Sequence, residues 1–188
     1  MLPALAGGAF LAIFTALLWI DFDRLPETLP ELTRDDLERD GEVLRIRADD
    51  TIFSGYLVSF YPDGVLRSRT RVVEGRLDGL SEGWYPDGTQ EIHEEFRAGV
   101  SHGVRVRWHP NGQIASRAEI TDGRQHGVFR RWREDGTLFQ VIHMRENQPH
   151  GVSKAYFPSG YLQARVEMDQ GAVVNQEFWD DGIKSDDG

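Results

Sequence analysis

The chain has 188 residues and no cysteine, so neither a disulfide nor a thiolate metal site can hold it together, and its length allows one domain with a small appendage. Its formal charge is −10, from 31 acids against 21 bases. The excess acid sits at the ends: residues 1–50 carry 11 Asp/Glu and 5 Arg, residues 177–188 carry 5 Asp/Glu and 1 Lys, and the balanced stretch between them excludes the broad basic footprint of a nucleic-acid binder.

Leu2 to Ile20 is a run of 19 residues without a charge. As a helix rising about 1.5 Å per residue it spans roughly 28 Å, close to the ~30 Å hydrocarbon core of a bilayer. Trp19 and Phe22 stand where interfacial aromatics sit. A cleaved signal peptide is the competing reading. Against it, the run lacks a basic n-region, is long for an h-region, and ends in Trp-Ile-Asp-Phe-Asp rather than in small residues. The sequence therefore predicts an uncleaved transmembrane anchor over residues 1–21. Ala4, Gly8, Ala12 and Ala16 recur every fourth residue, a spacing that lets a second helix pack closely. No Lys or Arg precedes the run, while Arg24, Arg34 and Arg39 follow it, so counting positive charges favours a cytoplasmic C-terminal domain. A short N-terminal anchor favours export instead, and the expectation adopted is a single-pass protein of the bacterial inner membrane with its main domain exported.

Residues 22–41 read as an acidic spacer broken by Pro26 and Pro30. Within it, Thr33 is placed to N-cap a short helix with Asp35 and Asp36 in its first turn, ending near Gly41. Leu44, Ile46 and Ala48 then alternate with Arg45 and Arg47, a strand pattern. An Asp49-Asp50 turn would return the chain into Thr51–Phe60 as a hairpin capping the first repeat.

From Gly55 onward the chain is periodic. Gly55, Gly79, Gly103, Gly127 and Gly151 lie 24 residues apart, and Gly64, Gly88, Gly112, Gly136 and Gly160 repeat the same step nine residues later. Self-similarity at a fixed period marks supersecondary units that bury an apolar face only against their neighbours. Each unit holds a tight turn: Tyr-Pro-Asp-Gly at 61–64 and 85–88, His-Pro-Asn-Gly at 109–112, Arg-Glu-Asp-Gly at 133–136 and Phe-Pro-Ser-Gly at 157–160. Pro presets φ, Asp or Asn bonds nearby backbone, and Gly accepts positive φ, so each turn joins two antiparallel strands.

After the turns, Leu66/Ser68/Thr70/Val72, Ile114/Ser116/Ala118/Ile120, Leu138/Gln140/Ile142/Met144 and Leu162/Ala164/Val166/Met168 alternate with charged residues, predicting one buried and one wet face. Before the turns run two further columns, Tyr56/Leu80/Val104/Val128/Val152 and Phe60/Trp84/Trp108/Trp132/Tyr156. Both are expected to share the apolar face, with the aromatic column serving as core rather than as a ligand groove. Phe178-Trp179-Asp180-Asp181-Gly182 is a degenerate last turn, 22 residues after Gly160 instead of 24. The fold class expected is mainly β: an elongated array of antiparallel β-hairpins over residues 42–182, with one N-terminal transmembrane helix and a disordered acidic tail at 183–188.

The pattern Gly79…Trp84-Tyr85-Pro86-Asp87-Gly88, and again Gly103…Trp108-His109-Pro110-Asn111-Gly112, resembles MORN-type repeats of the variant family found in bacterial proteins. The likeness extends over residues 53–182, with Arg133-Glu134 and Asn147 as local departures. The resemblance implies protein–protein scaffolding and, in some members, contact with anionic lipid. Many bacterial variants carry an antitoxin or immunity label. It implies no catalytic residue.

Three sets of residues invite chemistry. His102, His126 and His150 recur one residue before a repeat glycine, but repeats about 10 Å apart cannot place two of them on one zinc, so they read as polar turn residues. Glu91, His93 and Glu95 read as a solvated strand face. Arg105, Arg107, His109, Arg131 and Arg133, with Phe129, Phe139 and Val141 beside them, are expected on the wet face of the third and fourth repeats, where Arg and aromatic residues together suit a partner-binding surface. No cofactor or metal site and no catalytic arrangement is expected. The function expected is a non-catalytic, membrane-anchored scaffold, an accessory subunit of a membrane protein complex. The alternative is an immunity protein that masks a toxin.

Overall fold

The structure, a computed structural model, describes residues 29–183. The expected anchor over 1–21, with its Ala4, Gly8, Ala12 and Ala16 ladder, lies outside them, as do residues 22–28 of the spacer and 184–188 of the tail. Among the described residues no helix is long and apolar enough to cross a membrane.

The chain opens with β1 (Glu31–Leu32), then β2 (Leu37–Asp40) and β3 (Val43–Ile46). The array continues as β4 (Gly55–Phe60), β5 (Leu66–Val73), β6 (Arg76–Trp84), β7 (Gln90–Arg97), β8 (Val100–Trp108) and β9 (Ile114–Thr121). It runs on through β10 (Arg124–Gln125), β11 (Gly127–Trp132), β12 (Leu138–Arg145), β13 (Gln148–Pro149), β14 (Gly151–Tyr156), β15 (Leu162–Asp169) and β16 (Ala172–Phe178). Apart from β2 and β3, which form their own two-stranded sheet, all strands join one 14-stranded sheet. Its order tracks the chain, and every pairing is antiparallel except that of β1 beside β4.

Two kinds of turn alternate along its margins. At one margin the Pro-Asp-Gly turns close as the sequence predicts: the Tyr61 N–H donates to Val65 O at 2.8 Å, and Gly64 adopts φ +85. At the other margin the link is only two residues long, both with positive φ: Glu74-Gly75, Ala98-Gly99, Asp122-Gly123, Glu146-Asn147 and Gln170-Gly171. These are the hairpin turns whose twist matches that of the strands. They bring each strand straight back, with Val73 opposite Arg76 and Arg97 opposite Val100.

A register shift recurs in every hairpin, between residues 59/60, 83/84, 107/108, 131/132 and 155/156. It corrects the expected faces. Residues directly opposite each other share a face. The aromatic column does sit opposite the first post-turn residue, Phe60 facing Leu66 and Trp108 facing Ile114. The column Tyr56, Leu80, Val104, Val128 and Val152, however, faces Arg71, Glu95, Glu119, His143 and Glu167. An extra residue after each turn moves the rest of the strand to the other side. The sheet therefore has an outer face of aromatic, aliphatic and charged residues, and an inner face carrying Ser68, Thr70, Val72, Ser81, Glu94, Ala118, Ile120, Ser153 and Ala164. Most of these inner residues are buried, while the aromatics are half-buried and Phe60 is 48% exposed.

The glycines one strand before each Pro-Asp-Gly turn lie opposite Val72, Phe96, Ile120, Met144 and Met168. Gly127 shows why the position favours glycine: φ is +87, in the left-handed region that L side chains rarely adopt, and a Cβ there would also push the Glu119 carboxylate aside. A backbone ladder ties neighbouring units at the two-residue turns. The N–H groups of Gly75, Gly99, Gly123, Asn147 and Gly171 donate to the carbonyls of Phe53, Leu77, Ser101, Gln125 and Pro149 at 2.7–3.0 Å.

The tight core lies at the N-terminal end. Phe53 and Val72 have no exposed surface, and Leu37 and Leu44 bury beside them, with Leu32, Ile46, Leu57 and Leu77 packed around. The β2–β3 hairpin thus covers the inner face of the first repeats. The helix expected to begin at Thr33 is a single 3-10 turn, Arg34–Asp36, after which Leu37–Asp40 is a strand. Thr33 stands at the cap position, where its N–H and hydroxyl both donate to the Asp36 carboxylate at 2.8 and 2.7 Å, but Leu37 is drawn into the core as part of a strand. The expected return after Asp49-Asp50 does form, with Arg45 bridged to Ile52.

Candidate interaction surface

Arg105 and Arg107 lie on β8, and Phe129 and Arg131 on β11. The structure does place these residues on one face, but it is the inner face: Arg105 stands opposite Ala118, Arg107 opposite Ser116, and Phe129 opposite Ile142. The expectation that they occupy the wet face behind the apolar column is corrected, because the repeated register shift carries them across. Val141 goes the other way, sitting opposite Arg130 on the outer face.

A row then runs straight across three strands. Ser116 has Arg107 on one side and Arg131 on the other, and beyond Arg131 comes Gln140. At about 4.8 Å per strand, the two arginines are held roughly 10 Å apart across a small hydroxyl residue. Neither forms an ion pair among the described residues. Arg131 and Arg133 also flank Phe139, their guanidinium carbons 5.4 and 4.7 Å from its ring centre. A guanidinium over an aromatic ring keeps apolar contact through its flat face while its N–H groups remain directed outward in the plane, and those of Arg133 are taken by backbone carbonyls.

Arg105 is spoken for. It is ion-paired with Glu94, which also accepts a hydrogen bond from the Ser101 hydroxyl. Glu94 is nearly buried, and burial without Arg105 would strand its charge. Sequence reasoning passed over Glu94 in favour of Glu91, His93 and Glu95. Of those, His93 and Glu95 sit on the outer face opposite Glu82 and Leu80.

His109 and Arg133 have a structural task. The Tyr61 hydroxyl donates to Trp84 O at 2.8 Å, and the Tyr85 hydroxyl to Trp108 O at 2.8 Å. His109 Nε2 meets Trp132 O at 3.0 Å, and Arg133 donates to Tyr156 O at 2.7 Å. All four reach 23 residues ahead, so the residue opening each turn clamps the next repeat. Burial, with Glu91 second, pushes the Tyr85 hydroxyl above its ordinary range. Phe157 holds the equivalent position in the fifth repeat and has no polar atom to donate.

The three recurring histidines turn to acids of the adjoining margin: His102 lies 3.8 Å from Asp122, His126 3.9 Å from Glu146, and His150 3.1 Å from Asp169. Arg124 is also paired with Glu146, raising the guanidinium and lowering the carboxylate from their ordinary values. Among the described residues no three His, Asp or Glu side chains converge as a metal site would require.

The family profile for the MORN repeat variant matches residues 101–121, which run from the end of one two-residue turn to the next through the His109–Gly112 turn. No curated protein matches the chain. Among solved structures, an S. aureus TarM mutant in complex with Fondaparinux, alpha-GlcNAc-glycerol and UDP is similar at 12% identity and a TM-score of 0.33, over 48% of this chain and 18% of that one. A likeness that slight, over less than a fifth of the longer chain, carries no argument about fold or activity. The 24-residue hairpin units are clamped at both margins, and the third of them is matched by the profile of the MORN repeat variant, the repeat type that the array resembles.

Proposed function

We propose that the chain is a non-catalytic, membrane-anchored interaction scaffold, an accessory subunit of a membrane protein complex. The observation that carries this reading is the Arg107–Ser116–Arg131 row with Phe129 and Phe139, on an inner face that the cap hairpin covers only at the first repeats. The uncharged Leu2–Ile20 run supports the anchor, and its Ala4, Gly8, Ala12 and Ala16 ladder supports packing against a partner helix. Export of the repeats into the space outside the inner membrane belongs to the same reading. The same arginines suit acidic groups on a partner protein, with anionic lipid headgroups a lesser use of them.

The test is to solubilise membranes in mild detergent and capture the full chain through a C-terminal tag. Wild type, Gly8→Leu and the double variant Arg107→Glu/Arg131→Glu are compared by mass spectrometry of the co-purifying proteins. A stoichiometric set of membrane proteins, lost in the double variant and reduced by Gly8→Leu, is the expected result. A single soluble effector that survives removal of residues 1–41 would instead make the chain an immunity protein. Recovery of the chain alone from all three samples would remove the scaffold reading.

A further inference from the structure

The two margins of the sheet that run along the strands are unlike. At the N-terminal side β1 pairs with β4, and the cap hairpin packs beneath. At the other side β16 has β15 as its one neighbour, and no described residue lies beyond it. All seven of its residues are exposed, with Val173 at 56%, Val174 at 65% and Phe178 at 67%. Natural sheets blunt such a strand with proline, lysine or a cover. β16 has neither proline nor lysine, and its single irregularity, the unpaired Val174, leaves Asn175–Phe178 in regular register with β15.

The outward backbone groups can be assigned. The Trp179 N–H donates to Gln163 O at 3.1 Å, so alternation along an antiparallel strand turns the Gln176 and Phe178 N–H groups away from β15. Gln176 N–H meets only the Asn175 side chain, at 2.9 Å. In every earlier hairpin the residue at the Phe178 position faces an aliphatic or amide side chain on the next strand, such as Leu138 or Leu162. Phe178 lacks that partner among the described residues.

Charge selects the occupant. Residues 169–183 carry Asp169, Glu177, Asp180 and Asp181 and no base. Glu177 lies 3.9 Å from Arg165 on β15 and Asp169 3.1 Å from His150, which leaves Asp180 and Asp181 without an ion pair among the described residues. A second copy would lay one acidic edge against another. We propose that the free edge of β16 is a strand-addition site for an extended partner segment that alternates aliphatic residues with Lys or Arg. Main-chain bonds to Gln176 and Phe178 give affinity, an aliphatic side chain opposite Phe178 fixes register, and the bases answer Asp180 and Asp181 and add to the partners of Glu177 and Asp169. The site is separate from the Arg107–Arg131 row, and the proposal stands or falls independently of the scaffold reading.

The test uses the full chain in detergent at about 0.15 M salt, where exposed charges are screened beyond ~8 Å. The probes are a ten-residue peptide alternating Ile with Lys, a block-scrambled peptide of the same composition, and one alternating Ile with Glu. Fluorescence anisotropy should show the first binding at least about tenfold more tightly than the other two. It should also slow amide exchange at Gln176 and Phe178. Gln176→Pro removes an outward donor together with its bond to the Asn175 side chain and should weaken binding about tenfold, and Val174→Lys should do the same through charge. Equal binding of the scrambled peptide, or no effect of either β16 variant, overturns the proposal. So does a chain lacking residues 184–188 that binds the peptide more than about tenfold tighter, because the chain's own tail would then hold the slot. A free chain that dimerises through β16 overturns it as well, in favour of a second copy.

Discussion

The first and last repeats are built on one plan and end very differently. Around β4 and β5 the inner face is closed: Phe53 and Val72 are wholly buried beneath the β2–β3 hairpin. Around β16 nothing is closed, and the clamp that joins successive repeats stops at Arg133, because Phe157 has no donor. In a repeat array stability is a sum of unit and neighbour terms. The difference therefore shows that regular hairpins supply similar ties throughout, while the cap alone supplies a dense core. Opening should begin at β16 and move inward, with the capped end last to go.

Substitutions can break or sharpen that contrast. The largest effect belongs to Phe53→Ala, which should cost about 3–5 kcal/mol in urea unfolding as a cavity opens under the cap. Phe178→Ala should cost under about 1 kcal/mol, being mostly exposed already. Equal losses at the two sites would erase the distinction between the ends. Next comes Gly127→Ala in the middle of the array, where the left-handed backbone and the Glu119 side chain both resist a Cβ, for about 1–3 kcal/mol. Gly160→Ala has a similar φ of +89 and nothing within 4 Å, so it should cost only the handedness term, about 1 kcal/mol. Thermal melts of the two variants separate crowding from backbone strain.

Smaller still, Tyr85→Phe deletes one clamp to Trp108 O and should cost about 1 kcal/mol by equilibrium unfolding. The mildest effect is on pH dependence. The Thr89 N–H holds Asp87 below its ordinary 3.8, and the Thr137 hydroxyl and then its N–H do the same for Asp135. A lowered folded value means these turns favour the folded state fully above 3.8 and lose that contribution as pH falls from 3.8 through the lower folded values. Melting temperature should be flat from neutral to weakly acidic solution and then drop, with a shallower drop in Asp87→Asn/Asp135→Asn. An unchanged acid limb in that double variant would remove these turns from the account.

The period of 24 was legible because glycine and the Pro-Asp-Gly turns have narrow backbone requirements that survive changes in every other residue. The aromatic column and its partner Leu66 or Ile114 were legible too, lying on the turn side of the register shift. Beyond the shift, alternation misleads: counting in twos from Leu66 or Ile114 assumes a strand without an extra residue. That error put Arg105 and Arg107 on the wrong face. The second turn was concealed by Glu74, Ala98, Glu146 and Gln170, residue types that seldom accept positive φ, with only Asp122 of a type that does so more often. The signal lay one residue on, in Gly75, Gly99, Gly123 and Gly171. The Arg107–Ser116–Arg131 row depends on pairing between repeats, which no single strand encodes, and the clamp by His109 and Arg133 is hidden because Tyr, His and Arg share only a reach and a donor.

The clamps and the backbone ladder between units, whether from Tyr85 to Trp108 or from Gly99 to Leu77, span 22 or 23 residues. A duplicated stretch of 24 residues would find all its partners waiting and would lengthen the molecule by about 10 Å without disturbing either end. The number of repeats thus works as a ruler: it sets how far the last strand stands from the first, and it can be adjusted by whole units through gene duplication alone.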